Sequence, residues 1–159
     1  MNKFLKQGKV VEKAFTTFLN NWKFSTQEED MFEHWDVSTE IKFDVKGLKK
    51  QRRTDESPDQ SIHWVEIKNV NGKDGWLYGD ADFISFELQE YWVIVSRSDL
   101  VEFIHNNTIK TYKSSPMLRH LYKRKNRKDI LTLVSTYDLI YISSVYIKKL
   151  KDDTKIKKQ

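Results

Sequence analysis

The chain has 159 residues, 38% of them apolar, no cysteine and a formal net charge of +5. That length suits one domain with one modest core. The missing cysteines exclude disulfides and thiolate metal sites and fit a reducing, cytoplasmic setting. No apolar run approaches the ~18–20 residues of a transmembrane helix, and the basic residues 1–9 lack the apolar stretch of a signal peptide, so no membrane partner is expected.

Residues 3–22 predict an amphipathic helix, because Phe4, Val11, Phe15, Phe18, Leu19 and Trp22 recur at three- and four-residue steps. Residues 33–38 and 40–46 predict two short strands. In the second, Ile41, Phe43 and Val45 alternate with Lys42, Asp44 and Lys46, so one face is apolar and the other charged. Residues 47–61 form a polar connection broken by Gly47, Pro58 and Asp59. Residues 62–70 predict a third strand, with Val65 and Ile67 on one face and Trp64, Glu66 and Lys68 on the other. Asn71-Gly72 is a turn signal.

The aromatic segment from Gly75 to Gly79 follows, and packing of a loop onto the core is favoured over a stacking platform for bases. Residues 81–88 are ambiguous and accommodate a short helix. Residues 91–95 form a continuous apolar run, as in a strand buried on both faces. Residues 99–104 suit a helix with Ser98 as N-cap. Residues 116–124 read as helical, 130–134 as a strand and 136–150 as a closing helix carrying Leu139, Ile142, Val145, Tyr146 and Leu150. Residues 1–150 then form one mixed α/β domain with a small central sheet, followed by a basic tail, 151–159.

The positive charge is clustered. Arg119, Lys123, Arg124, Lys125, Arg127 and Lys128 crowd one stretch with Tyr122 among them, and Lys49, Lys50, Arg52 and Arg53 form another. Such clusters suit a polyanion, because each phosphate contact releases condensed counterions. Arg119, Lys123, Arg124, Arg127, Lys128, Lys49 and Arg52 are the candidate nucleic-acid contacts. The four histidines show no paired spacing, which argues against a zinc site.

Asp44 lies on the charged face of one strand, Glu66 and Lys68 on that of the next. If the two strands pair as a hairpin, Asp44 comes within cross-strand reach of Glu66. Carboxylates that close repel one another, and a divalent cation relieves the conflict. Oxygen ligands on an incomplete shell favour Mg²⁺, with Mn²⁺ as substitute, and a neighbouring lysine can orient an attacking water. Glu-x-Lys occurs twice, at Glu40 and at Glu66. Asp36 precedes Glu40 by too little chain to turn back, whereas Asp44 precedes Glu66 by ample chain.

The run Phe43-Asp44-Val45-Lys46-Gly47 followed by Trp64-Val65-Glu66-Ile67-Lys68-Asn69 resembles the signature of the PD-(D/E)XK nuclease superfamily, without its usual proline. The resemblance covers roughly residues 1–97. It implies a restriction-endonuclease-like α-β-β-β-α-β core, extended here by further C-terminal helix and strand elements. It also implies a metal held by Asp44, Glu66 and the Ile67 carbonyl, with Lys68 as catalytic lysine. Glu12 matches the acidic residue that many members carry on the first helix. The superfamily includes restriction enzymes, junction resolvases, repair nucleases and phage recombination exonucleases.

The expected function is therefore a Mg²⁺-dependent deoxyribonuclease, in first place an endonuclease on branched or duplex DNA. RNA is the other nucleic-acid substrate compatible with these residues. A homodimer would suit a duplex cutter, since one site cuts one strand. The alternative is a non-catalytic nucleic-acid-binding module that keeps the nuclease fold.

Overall fold

The computed structural model describes residues 3–19, 21–50, 55–143 and 145–149; Arg52, Arg53 and the basic tail 151–159 lie outside them. The first helix, α1 (Lys3–Phe15), runs into a 3₁₀ turn at Thr16–Phe18. It is shorter than the 3–22 expected. The Thr16 and Thr17 hydroxyls donate back to the carbonyls of Lys13 (2.8 Å) and Ala14 (3.0 Å), and Leu19 is extended. Short hydroxyl side chains compete in this way with the helical ladder.

After β1 (Lys23–Phe24) comes α2 (Gln27–Phe32), in a region for which no helix was expected. Its start was legible: Thr26 Oγ1 accepts from Glu29 N–H (3.2 Å) and Glu29 Oε2 accepts from Thr26 N–H (2.7 Å), a capping box. Then follow β2 (Val37–Ser38), β3 (Lys42–Lys46) and β4 (Ile62–Lys68). Gly72 turns the chain beyond β4 at φ +79°, a conformation that an L side chain adopts only under strain. A 3₁₀ turn at Trp76–Tyr78 buries Leu77, so the aromatic segment does pack on the core.

Residues 83–87 are a strand, β5 (Phe83–Glu87), and not the short helix considered for this stretch. The segment is central and buried on both faces, which removes the alternation that would have marked it. β6 (Tyr91–Ser96) and α3 (Arg97–Asn107) follow, and Ser96, not Ser98, caps the helix. Two further expectations are corrected. Residues 116–124 are not helical: β7 (Ile109–Lys113) and β8 (His120–Lys123) lie side by side in parallel. The closing helix ends at Ile142, so that β9 (Ile130–Ser135) and α4 (Thr136–Ile142) are followed by a strand, β10 (Val145–Lys148), paired with β6.

The result is a mixed α/β architecture with two sheets. One has six strands in the order β1-β2-β3-β5-β6-β10, and the other has four, β4-β9-β8-β7. β3 runs parallel to β5, with Asp44 beside Ile84, while among the described strands β4 pairs only with β9. One face of the larger sheet, with Val37, Phe43, Val45, Trp92 and Ile94, packs on Ala14 and Phe15 of α1. Phe15 meets Trp92 edge-on at 5.2 Å, and its full burial contributes roughly 1.5–3 kcal/mol. The opposite face, with Ile84, Phe86, Val93 and Val95, packs on Val65 and Val134 of the smaller sheet and on α3 and α4.

Candidate active site

β3 places Phe43 and Val45 in the core under α1, as its alternation requires. Asp44 therefore points to the other side, on the face it shares with Ile84. That face was expected to be open. Instead Asp44 is buried, with 2% of its surface exposed. Its Oδ1 is 2.5 Å from the Lys46 ammonium, and it shares a side-chain hydrogen bond with Asp36, so the two buried carboxyls meet as an acid pair. Burial raises the Asp44 carboxyl above its ordinary range, and Lys46 opposes that rise.

Asp36 was not among the expected site residues, yet it is part of the same group. The β2–β3 register sets Val37 opposite Phe43, and Asp36 N–H donates to the Phe43 carbonyl at 2.7 Å, so Asp36 comes beside Asp44. Asp36 Oδ2 accepts from Val45 N–H (2.6 Å). Burial and then the Asp44 charge push the Asp36 carboxyl up to about 7. The signal was present in the two expected strands: a turn at residues 38–42 puts positions 36 and 44 across from one another.

Glu12, on α1, acts on this group from a distance. Burial, followed by Asp36, raises its carboxyl to about 7, while Lys9 (3.9 Å) and Lys46 pull it down. The acidic residue expected at the edge of the site is thus one that feels both Asp36 and Lys46 electrostatically.

The hairpin expected between the strands of Asp44 and Glu66 does not form. β3 and β4 lie in different sheets, because the long polar connection of residues 47–61 lets the chain leave the first sheet before β4 begins. Asp44 and Glu66 stand on different sheets, and what they share is an electrostatic pull on Lys49 at the seam between them. Lys49 reaches solvent, but the protein around its ammonium lowers its pKa; Lys46 adds to this, and Asp44 and Glu66 both oppose it. Lys46 also lies over the Trp76 ring, 4.5 Å from the centroid. Trp76 follows Gly75, whose N–H donates to the Ile67 carbonyl at 2.9 Å. A Cβ on Gly75 would stand 2.4 Å from the Glu66 carbonyl oxygen, so only glycine lets this loop lie against β4.

The expected roles on β4 fare differently. Glu66 is half-buried and its carboxylate has no hydrogen-bond or ion-pair partner among the described residues. The Ile67 carbonyl already accepts one hydrogen bond, which leaves one lone pair. A bulge between Glu66 and Lys68 interrupts the pairing with β9. Lys68 is exposed beyond it and makes no ion pair among the described residues. Asp82 serves the backbone, accepting from Lys42 N–H at 2.8 Å.

The basic cluster of residues 119–128 occupies β8 and the turn between β8 and β9. Arg119 pairs with Asp138, and Arg124 with the buried Asp129, through guanidinium contacts. Lys123, Lys125, Arg127 and Lys128 are exposed. His63 is buried: its Nε2 lies 2.9 Å from Thr136 Oγ1, and burial lowers its pKa to about 4. The histidines are not grouped, and among the described residues no three acidic or histidine side chains converge closely enough to enclose a metal by themselves. Among the described residues no helix is long and apolar enough to cross a membrane.

No family model, no curated protein and no solved structure matches the chain.

Proposed function

We propose that the chain is a Mg²⁺-dependent nuclease of the PD-(D/E)XK kind, cutting DNA phosphodiesters at the seam between its two sheets. The observation that carries this reading is the Asp44 carboxylate. It is buried against the Lys46 ammonium, and the Asp36 carboxyl hydrogen-bonded to it is itself pushed up to about 7. Buried acids whose titration is shifted by burial and by one another mark candidate functional sites. The donor set suits a hard cation with an incomplete shell. Mg²⁺ is commonly held by one or two carboxylates and completed by water and substrate phosphate, so three converging side chains are not required.

Asp44 and Glu66 would hold the ion, with the free lone pair of the Ile67 carbonyl in reserve. Bound there, Mg²⁺ supplies polarisation of the scissile phosphate and a lowered pKa for water. The protein's own part is orientation. Asp36 fixes the Val45 amide and hence the direction of Asp44. The close approach of Gly75 fixes Glu66 against the loop. Lys68, exposed at the strand end, is free to turn toward a phosphate or water. Lys123, Arg127 and Lys128 would hold the DNA backbone away from the seam. Of a restriction-endonuclease-like core this reading keeps the helix over the strand of Asp44 and a Glu-x-Lys strand, and it departs from that core in setting the two strands in different sheets.

The rival is a non-catalytic nucleic-acid-binding module. It is favoured by the Lys46 ammonium, which already compensates Asp44. One experiment decides between them: incubation of linear, single-stranded and four-way-junction DNA with the protein in Mg²⁺ or in EDTA. The nuclease reading expects cleavage in Mg²⁺ alone. DNA that is bound but intact in Mg²⁺ and Mn²⁺ alike makes the chain a binding module.

A further inference from the structure

Lys46 is the ammonium in direct contact with Asp44, at 2.5 Å, with 22% of its side chain exposed. Its charge also acts on Glu12, Asp36 and Lys49, and its Nζ lies over Trp76. A single lysine thus stands at the middle of the acidic group and bridges β3 to the loop that packs on Glu66.

Resting on the nuclease reading, we propose that Lys46 is the internal counter-ion of the metal site: it holds Asp44 in the metal-free protein and must leave Asp44 Oδ1 when a divalent cation enters. Two cations cannot share one buried carboxylate at contact distance without strong repulsion. Removing the lysine would leave the Asp44 charge enclosed and unpaired, which explains why the metal-free fold keeps it. The Trp76 face offers the displaced ammonium a place to stay, since it already lies 4.5 Å away. From there the lysine faces the seam, where a substrate phosphate would arrive. The same side chain therefore lowers metal affinity before binding and supplies a positive charge to the substrate after it.

The test uses the full chain without nucleic acid. Free Mn²⁺ is followed by electron paramagnetic resonance during titration of wild type, Lys46→Met and Lys46→Arg. Lys46→Met should bind Mn²⁺ about tenfold more tightly than wild type, and Lys46→Arg should not. Metal-free Lys46→Met should also melt earlier and gain more from Mn²⁺. Equal or weaker binding by folded Lys46→Met overturns the proposal and leaves the nuclease reading intact. No Mn²⁺ binding by wild type or either variant overturns the nuclease reading, and this proposal with it. Should Lys46→Met fail to fold, the wild type carries the test. The Lys46 ¹³Cε resonance, assigned by its loss in Lys46→Arg, should move as Mg²⁺ saturates the site and stay still in Asp44→Asn. A resonance that stays still while Asp44-dependent Mg²⁺ binding saturates overturns the proposal.

Discussion

Arg124 sets both its Nε and its Nη2 on a single oxygen, Oδ2, of the buried Asp129, at the foot of the basic turn between β8 and β9. This arginine is therefore a structural partner before it is a DNA ligand. Replacing it leaves a buried carboxylate unpaired, a change that typically costs about 3–5 kcal/mol, discounted here because the guanidinium is half exposed. Arg124→Ala should lower the melting temperature clearly. Lys123→Ala, Arg127→Ala and Lys128→Ala should not. These three should instead flatten the salt dependence of DNA binding, by roughly one unit of log–log slope for each phosphate no longer neutralised. A salt titration beside a thermal melt separates the two classes. An unchanged slope in the triple variant would put the DNA track elsewhere.

Glu66→Ala should lower cleavage at least about a hundredfold with little change in stability, because its half-buried carboxylate leaves no partner stranded. Glu40→Ala, at an exposed position before β3, should leave cleavage within about twofold. Rates measured under single-turnover conditions compare them directly. Similar losses at both positions would contradict the assignment of Glu66.

The direction of Asp44 was legible in the sequence, and the surroundings that were not have identifiable causes. The alternation of Phe43 and Val45 fixed which way Asp44 points, but alternation cannot say whether the second face is covered. Here it is, because a second sheet docks on it. The pairing of β3 with β5 and of β4 with β9 is long-range, and local periodicity carries no information about it. The strand at residues 83–87 was hidden for another reason. Ser85 and Glu87 are polar residues inside a strand buried on both faces, so the segment shows neither a strand's alternation nor a continuous apolar run. The closing helix was extended too far because the apolar spacing of residues 139–142 continues by chance through Val145 and Tyr146 into β10.

The Asp36 and Glu12 carboxyls, held near 7 by burial and by their acidic neighbours, make the metal-free protein sensitive to alkali. In the unfolded chain such groups titrate near about 4. The folded state thus holds their protons more tightly. The resulting stability is complete below about pH 4 and is lost as pH rises through about 7. Asp36→Asn keeps an acceptor for the Val45 amide but cannot ionise. In EDTA, its stability relative to wild type should increase from about pH 5 to about pH 8. A constant difference between the two proteins across that range would show that Asp36 does not titrate there.

His63 acts in the opposite sense. The Thr136 hydroxyl donates its proton to the Gln60 carbonyl, so His63 Nε2–H is the donor to Thr136, and burial favours the neutral ring. Burial lowers its pKa from 6.5 to about 4, against a small contrary pull from Asp59. The stability it contributes is complete above about pH 6.5 and is lost as pH falls through about 4, on the order of 3 kcal/mol for a group so placed. His63→Gln should abolish most of that acid sensitivity. Urea melts at about pH 7 and about pH 4.5 measure it, and parallel losses in wild type and variant would rule His63 out.

Among the described strands β4 has one neighbour, β9, drawn from a stretch more than sixty residues further along the chain. Until that stretch has emerged from the ribosome, the strand bearing Glu66 has nothing to pair with, and the carboxylates on the two sides of the seam are unconnected. A chain built this way carries its own timing. The half of the site on β3 can form early in synthesis, whereas the half on β4 waits for β9, so on the proposed nuclease reading a shortened product that lacks β9 should not cut nucleic acid.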